Sequence, residues 1–299
     1  MLVRAGLVSE PLKILYVPVT KVACSSLKLM IATAGGTFNE EMINKLDTRT
    51  ISRTQTIHDR RVSGFLLYRE LTEADQNLIY DSPDWWRVGA VRNPYARIYS
   101  TFENRVLMLM RGVFKEIAQH FELQYRDGNI DITESFHHFV RTMRDHRDDF
   151  WLDDHFRPQY SEIHPDLFPY THFFKVDDPG AMDGFAAELS TRSGKQITAV
   201  RLNEGLGIKY KDVMTAPIAR IIEELYPDDF AKLGYAHEEF PDDIEHIVAS
   251  RRETTLLHYS YDLFERLGSL SDLAKKRLGA RTAARAIANR IVEKLRGVK

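Results

Sequence analysis

The sequence predicts an α/β fold, a central parallel sheet flanked by helices, and three observations carry that reading. Three segments rich in apolar, β-branched or aromatic residues, Lys13–Val17, Trp86–Val91 and Thr171–Val176, each run into a segment of helical character. No Pro/Ser/Gly-rich linker, internal repeat or low-complexity tract divides the chain. Composition, with 43% hydrophobic and 28% charged residues in a chain of 299, is that of a globular protein with ample surface to bury a core. Strands that alternate with helices form parallel sheets covered on both faces.

The first strand, Lys13–Val17, is followed by the loop Pro18–Ser26 and by a helix over Leu27–Ala34, which Gly35 and Gly36 end. The second, Trp86–Val91, precedes Pro94, which is placed to open a helix over Tyr95–Arg111. Asp131, with Glu134 three residues on, reads as a capping box for a helix from Ile132 to Asp145, whose apolar face is Phe136, Phe139, Val140 and Met143. Thr171–Val176 is the third strand, and a helix from Pro179 to about Arg192 follows it. Pro217–Leu225 and Glu253–Leu267 also have helical periodicity. The expected organisation is one domain over residues 1–270 and a basic amphipathic helical tail over 271–299.

Cys24 is the single cysteine, which excludes a disulfide-stapled fold and fits a reducing compartment. Met1–Pro11 lacks the apolar stretch of a signal peptide, and no window approaches 18 uninterrupted apolar residues. A cytoplasmic location is expected. The net charge of −2 hides nine Lys/Arg in residues 271–299, opposed there only by Asp272 and Glu293. In that tail Ala280, Ala284, Ile287, Ile291 and Leu295 form one stripe flanked by Arg281, Arg285, Arg290, Lys294 and Arg296. Such a helix packs on the domain or a second subunit, or else makes peripheral contact at the inner face of a membrane. No nucleic-acid partner is expected, and the sequence sets no oligomeric state.

Loops that join a strand to a helix put backbone N–H groups and the positive helix end at one point, where anions bind in α/β proteins. Lys21, Ser25 and Ser26 stand at the first such junction; Arg92 and Ser100 flank the second, eight residues apart. Taken singly, Ser25 and Ser26 can simply cap a helix, Arg92 can cap the sheet edge, and Ser100 can be a small packing residue. The nucleoside-triphosphate loop G-x-x-x-x-G-K-[ST] is absent, as is G-x-G-x-x-G after a strand, so ordinary kinase and dehydrogenase readings lose their main support.

Together the two loops resemble those of sulfotransferases that use 3′-phosphoadenosine 5′-phosphosulfate (PAPS), in particular the branch acting on chondroitin, dermatan and HNK-1 carbohydrates. Pro18-Val-Thr-Lys-Val-Ala-Cys-Ser-Ser26 is similar to the family's 5′-phosphosulfate loop, and Val91-Arg-Asn-Pro-Tyr-Ala-Arg-Ile-Tyr-Ser100 to its 3′-phosphate motif. Asp154-His-Phe-Arg-Pro-Gln159 and Leu225-Tyr-Pro-Asp-Asp-Phe-Ala-Lys-Leu-Gly-Tyr235 resemble two later blocks, so the likeness spans roughly residues 13–236. It implies a P-loop-like sulfotransferase fold with PAPS as co-substrate, adenosine 3′,5′-bisphosphate as product, and a carbohydrate or glycolipid acceptor. Thr20, Lys21, Val22, Ala23, Cys24, Ser25 and Ser26 would hold the phosphosulfate, with Lys21 on the bridging oxygen, while Arg92 and Ser100 would hold the 3′-phosphate. Thr20 stands where Pro is common and Asn93 where Asp is commoner; neither removes a ligand. Cys24 is read as a packed small residue, not a nucleophile.

Sulfuryl transfer resembles phosphoryl transfer physically, so positioning and charge stabilisation dominate, and Lys21 suits the leaving-group side. A base for the acceptor hydroxyl is expected among the histidines. His58 is the preferred candidate and His155 the second; either can instead be a structural histidine. Arg157 is a candidate for an acidic group on the acceptor, and Lys209 belongs to an expected closing loop. No metal is expected, because no ligand spacing stands out. Two rivals stay open: a non-catalytic nucleotide- or glycan-binding module of the same fold, and a divergent phosphotransferase.

Overall fold

The computed structural model describes residues 5–43, 53–108, 119–200, 202, 205–263, 266, 269, 270, 273 and 279. Its strands are β1 (Leu7–Ser9), β2 (Ile14–Val17), β3 (Leu66–Leu67), β4 (Trp86–Val91), the two-residue β5 (Tyr125–Arg126) and β6 (Asn129–Ile130), and β7 (His172–Lys175). The longer helices are α1 (Cys24–Gly35), α2 (Glu73–Asp81), α3 (Pro94–Phe102), α4 (Ile132–Asp145), α5 (Ala181–Ser193), α6 (Ala216–Leu225) and α7 (Pro227–Leu233).

The central sheet has five strands in the order β3-β1-β2-β4-β7. The three segments expected as strands, β2, β4 and β7, are parallel neighbours, with Val17 paired to Gly89 and Val91 to Lys175. The sheet is mixed, not wholly parallel, because β1 turns back into β2 as a hairpin and β3 adds antiparallel to β1. Lys13, at φ 49°, donates its N–H to Glu10 O in that tight turn. All residues of β1 and β2 are buried, so neither strand shows an alternating pattern.

The α4 bounds agree with the expected Ile132–Asp145, and Phe136, Phe139, Val140 and Met143 are fully buried. Asp131 caps the helix by accepting the Glu134 N–H at 2.9 Å, but the reciprocal half of the box is not made: the Asp131 N–H bonds Gln124 O, and the Glu134 carboxylate pairs with Arg141. Helix α1 begins three residues earlier than its apolar pattern suggests, which puts Ser25 and Ser26 in its first turn. Helix α3 is shorter than the expected Tyr95–Arg111; after Phe102 the chain widens into a π-turn over Glu103–Leu107, and residues 109–118 fall outside the described set. A helix covers 251–263, while the tail expected over 271–299 lies, apart from Leu273 and Gly279, outside the described residues. Among the described residues no helix is long and apolar enough to cross a membrane.

Two hydrophobic cores result. One lies between the sheet and helices α1 and α5 and includes Leu15, Ile31, Val88 and Leu189; the other joins α3, α4, α6 and α7 through Phe102, Phe136, Phe139, Ile222 and Phe230. The loops leaving the C-terminal ends of β2 and β4 emerge between them, the usual place for a ligand crevice in an open α/β sheet.

Candidate active site

The chain leaves β2 through Val19, which is buried, and accepts the Val22 N–H in a tight turn. Lys21 (φ 63°) and Ala23 (φ 47°) both occupy the left-handed region, and Ala23 is the N-cap of α1 without any side chain to offer. Non-glycine residues there cost about 1–2 kcal/mol each, so tertiary contacts must hold the loop. Those contacts are present. Thr20 Oγ1 donates to Asp154 O at 2.8 Å, Thr20 O accepts from Arg97 Nε at 3.1 Å, and Lys21 O accepts from Arg92 Nη1 at 3.2 Å. A proline at position 20 would have no hydroxyl to give Asp154. Val22 is buried in the sheet core, Cys24 is partly exposed, and Ser26 Oγ accepts the Leu202 N–H at 3.2 Å.

Cations converge on this turn. Burial, then the guanidinium charges of Arg105 and Arg92, push the Lys21 ammonium down to about 8, against the opposing influence of Cys24 and Glu103. Burial also lowers Lys28 and Arg105. The Glu103 carboxyl is itself raised by burial, although it accepts the Leu206 N–H and feels the charges of Lys21 and Arg92. Gly205 makes that contact possible: a Cβ there would stand 1.8 Å from Glu103 Oε2.

Both candidate bases lie at this junction. His58 Nε2 is 2.9 Å from Ser25 Oγ and its Nδ1 is 2.9 Å from Lys28 Nζ. An ammonium only donates, so with Lys28 charged Nδ1 is the acceptor and Nε2 carries the proton toward Ser25. The ring keeps contact with solvent, yet surrounding atoms first of all, then the charges of Lys28, His155 and Arg105, lower its pKa to about 4. His58 is neutral throughout the physiological range. His155 is held from the other side: Nδ1 is 2.6 Å from Asp153 Oδ1 and 2.9 Å from Asp154 Oδ1, while Nε2 lies 2.6 Å from Arg105 Nη2. A guanidinium cannot accept, so Nε2 offers its lone pair to Arg105 and Nδ1–H points to the carboxylates. Asp153, Asp154 and His155 also have ligand atoms within 4.8 Å of one another, a grouping able to hold a cation that sequence spacing did not suggest.

At the second junction Arg92 Nε lies 3.6 Å from Asp177 Oδ1, and Ser100 stands partly exposed in the last turn of α3. Asn93 caps α3 by accepting the Tyr95 and Ala96 N–H groups, and its Nδ2 donates to Glu238 Oε1 at 2.8 Å. An aspartate would cap equally well but could not donate to Glu238, which gives the Asn at this position a physical reason. Glu238 also accepts from Tyr210 Oη and pairs with Lys211 Nζ at 2.8 Å, drawing the 205–212 loop against this junction.

Several residues that position the site escape sequence reading. Arg97, 1% exposed, donates to Thr20 O, to Arg157 O and to Asp154 O and His155 O, so one side chain ties the first loop to the histidine segment. Gln159, fully buried, accepts the Arg92 N–H at 2.8 Å and returns a bond to Arg92 O at 2.7 Å. Asp229, also fully buried, accepts the Gln159 and Tyr160 N–H groups; burial raises its pKa while Arg97 and those donors oppose the rise. Gln159 and Asp229 lie within sequence blocks singled out for their resemblance, but nothing in their spacing indicates whom they bond.

The other two candidates differ: Arg157 is tied into its own loop, and the Lys209 side chain is exposed. The Arg157 guanidinium donates to Trp151 O and Leu152 O and pairs with Glu162 Oε1 at 3.1 Å, holding its own loop rather than presenting a bare charge. Lys209 is exposed, and its N–H bonds Asp212 at the start of a single 3₁₀ turn, Tyr210–Asp212.

The fold and these junctions define an α/β protein with a cation-rich loop at the start of a helix and two imidazoles beside it. The chain belongs to the sulfotransferase family, whose model matches residues 5–236. No curated protein and no solved structure matches it. Sulfuryl transfer is the chemistry this membership supports, and the matched span contains both junctions and both histidines.

Proposed function

We propose that the protein transfers a sulfuryl group from PAPS to a hydroxyl of a carbohydrate or glycolipid. The observation that carries the reading is the convergence of Lys21, Lys28 and Arg105 on Ser25, His58 and His155 at the N-terminus of α1. Burial lowers Lys21, Lys28 and Arg105, and the charges of Arg105 and Arg92 lower Lys21 further; an anion would relieve this, so these residues fit a phosphosulfate. PAPS, when bound, supplies the activated sulfuryl group. Lys21 would neutralise charge growing on the departing 5′-phosphate, Ser25, Ser26 and the first-turn amides of α1 would orient it, and Arg92 and Ser100 would grip the 3′-phosphate. His58, already neutral, would accept the proton of the acceptor hydroxyl once Lys28 turns from its Nδ1 to the anion. The tail of residues 271–299 is proposed to pack on protein or to bring the enzyme to a membrane surface.

The test is thermal stability with nucleotides. Adenosine 3′,5′-bisphosphate should raise the melting temperature with concentration, and ATP with magnesium should do so less. ATP as the better ligand would discard PAPS and favour a phosphotransferase. In calorimetry Arg92→Ala should weaken the bisphosphate by about tenfold or more, as expected for losing one charge-assisted contact. Unchanged affinity would remove Arg92 from the site.

His155 is the second candidate for the base, favoured by Asp153 behind its Nδ1. His58→Ala should abolish transfer while bisphosphate binding persists. If His155→Ala abolishes it and His58→Ala does not, the roles exchange.

A further inference from the structure

Away from this site, at the far end of α4, three side chains meet that the reaction does not use. His146 ends α4, its N–H bonded to Thr142 O, and begins the one-turn helix Arg147–Phe150. The imidazoles of His120 and His146 stack with centroids 4.0 Å apart and planes 19° from parallel. His120 Nε2 lies 3.2 Å from Asp149 Oδ2 and 3.1 Å from Gln119 Nε2. One ligand atom from each of His120, His146 and Asp149 lies within 4.8 Å of the other two.

We infer that His120, His146 and Asp149 form a binding site for a divalent transition-metal ion of the zinc class. Two imidazoles and a carboxylate make a mixed nitrogen and oxygen set, which suits zinc, whereas magnesium and calcium prefer oxygen alone. Ligand atoms about 2.1 Å from a tetrahedral ion stand roughly 3.4 Å from one another. His120 and Asp149 already stand at 3.2 Å, and side-chain rotation would bring His146 to them. The rings lie nearly parallel, so one of them must turn out of the stack for both lone pairs to meet a shared ion, and Asp149 follows His146 by three residues, on the same side of the turn. The setting favours a cation. The carbonyl end of the 14-residue α4 points here. Of the surrounding charges, Arg144 pairs with Asp145 and Arg147 with Asp148, while Asp149 and Glu224 add negative charge to the same depression. A bound ion would staple Gln119 and His120 to the turn that continues through Phe150 to Asp153 and His155.

Calorimetry of the untagged full-length chain with zinc chloride tests this. One zinc ion per chain should bind, raise the melting temperature, and resist competition by magnesium. His120→Ala and Asp149→Asn should each weaken zinc by more than about tenfold, the lower end of what even outer-shell partners cost. Asp149→Asn should keep the wild-type melting temperature without zinc, since Asp149 is half exposed, and so serves as the variant free of the packing that His120→Ala removes. His155→Ala should keep the ion. Absence of zinc binding, or equal affinity in His120→Ala, overturns the proposal; loss of the ion in His155→Ala moves it to the Asp153, Asp154 and His155 group and also overturns it.

Discussion

Lys21→Ala lowers turnover by about 10²–10³, the range found when one donor to a developing oxyanion is removed. The effect should fall on kcat, because charge on the leaving oxygen grows only as the bond breaks. Alanine carries the same left-handed penalty at φ 63° as lysine does, so the loop should keep its shape and the comparison should isolate the ammonium. Steady-state rates with labelled PAPS measure this; near-normal turnover would take Lys21 out of the mechanism. The same ammonium sets a pH limit. With Lys21 at about 8 and His58 at about 4, kcat/KM should rise as His58 loses its proton and fall as Lys21 loses its own. A profile that stays flat from pH 7 to about 10 would contradict the charged Lys21 required by this account.

The largest effect on stability is expected from Arg97→Ala, about 3–5 kcal/mol, the upper range for breaking a buried hydrogen-bond network and stranding a nearby buried carboxylate. The substitution strands the carbonyls of Thr20, Asp154, His155 and Arg157 and leaves fully buried Asp229 without the nearby cation that opposes its rise in pKa. Arg97→Lys should recover little, because an ammonium cannot reproduce the planar fork that spans two loops. Urea unfolding gives the number, and a loss below about 1 kcal/mol would show that the clamp is dispensable.

Much of this architecture was legible in the amino-acid order. The three parallel strands carry dense apolar or aromatic runs, and α4 announces itself through Asp131, Glu134 and a helical stripe that proves fully buried. The two junctions could be placed because strand, loop and helix follow one another within each. The short β1 and β3 could not, since a strand of two or three residues has no period to detect. The π-turn after α3, which carries Glu103 and Arg105 into the site, leaves no composition signal either. Nothing in the sequence singles out Arg97; its role lies in four backbone carbonyls from distant positions, which carry no side-chain signature. His58 and His155 could be nominated by residue type, but their closeness to Ser25 and Arg105 is a product of the fold.

The left-handed pair Lys21 and Ala23 has a consequence for the energetics of recognition. A glycine-rich loop is free to wander before its ligand arrives and loses that freedom on association. Here two residues with β-carbons hold an uncommon backbone shape, and Arg92 and Arg97 fasten it through the carbonyls of Lys21 and Thr20. The donors of the turn are therefore aimed in advance. Little conformational entropy remains to be surrendered when an anion enters, and its affinity should reflect the contacts made rather than the ordering of the chain.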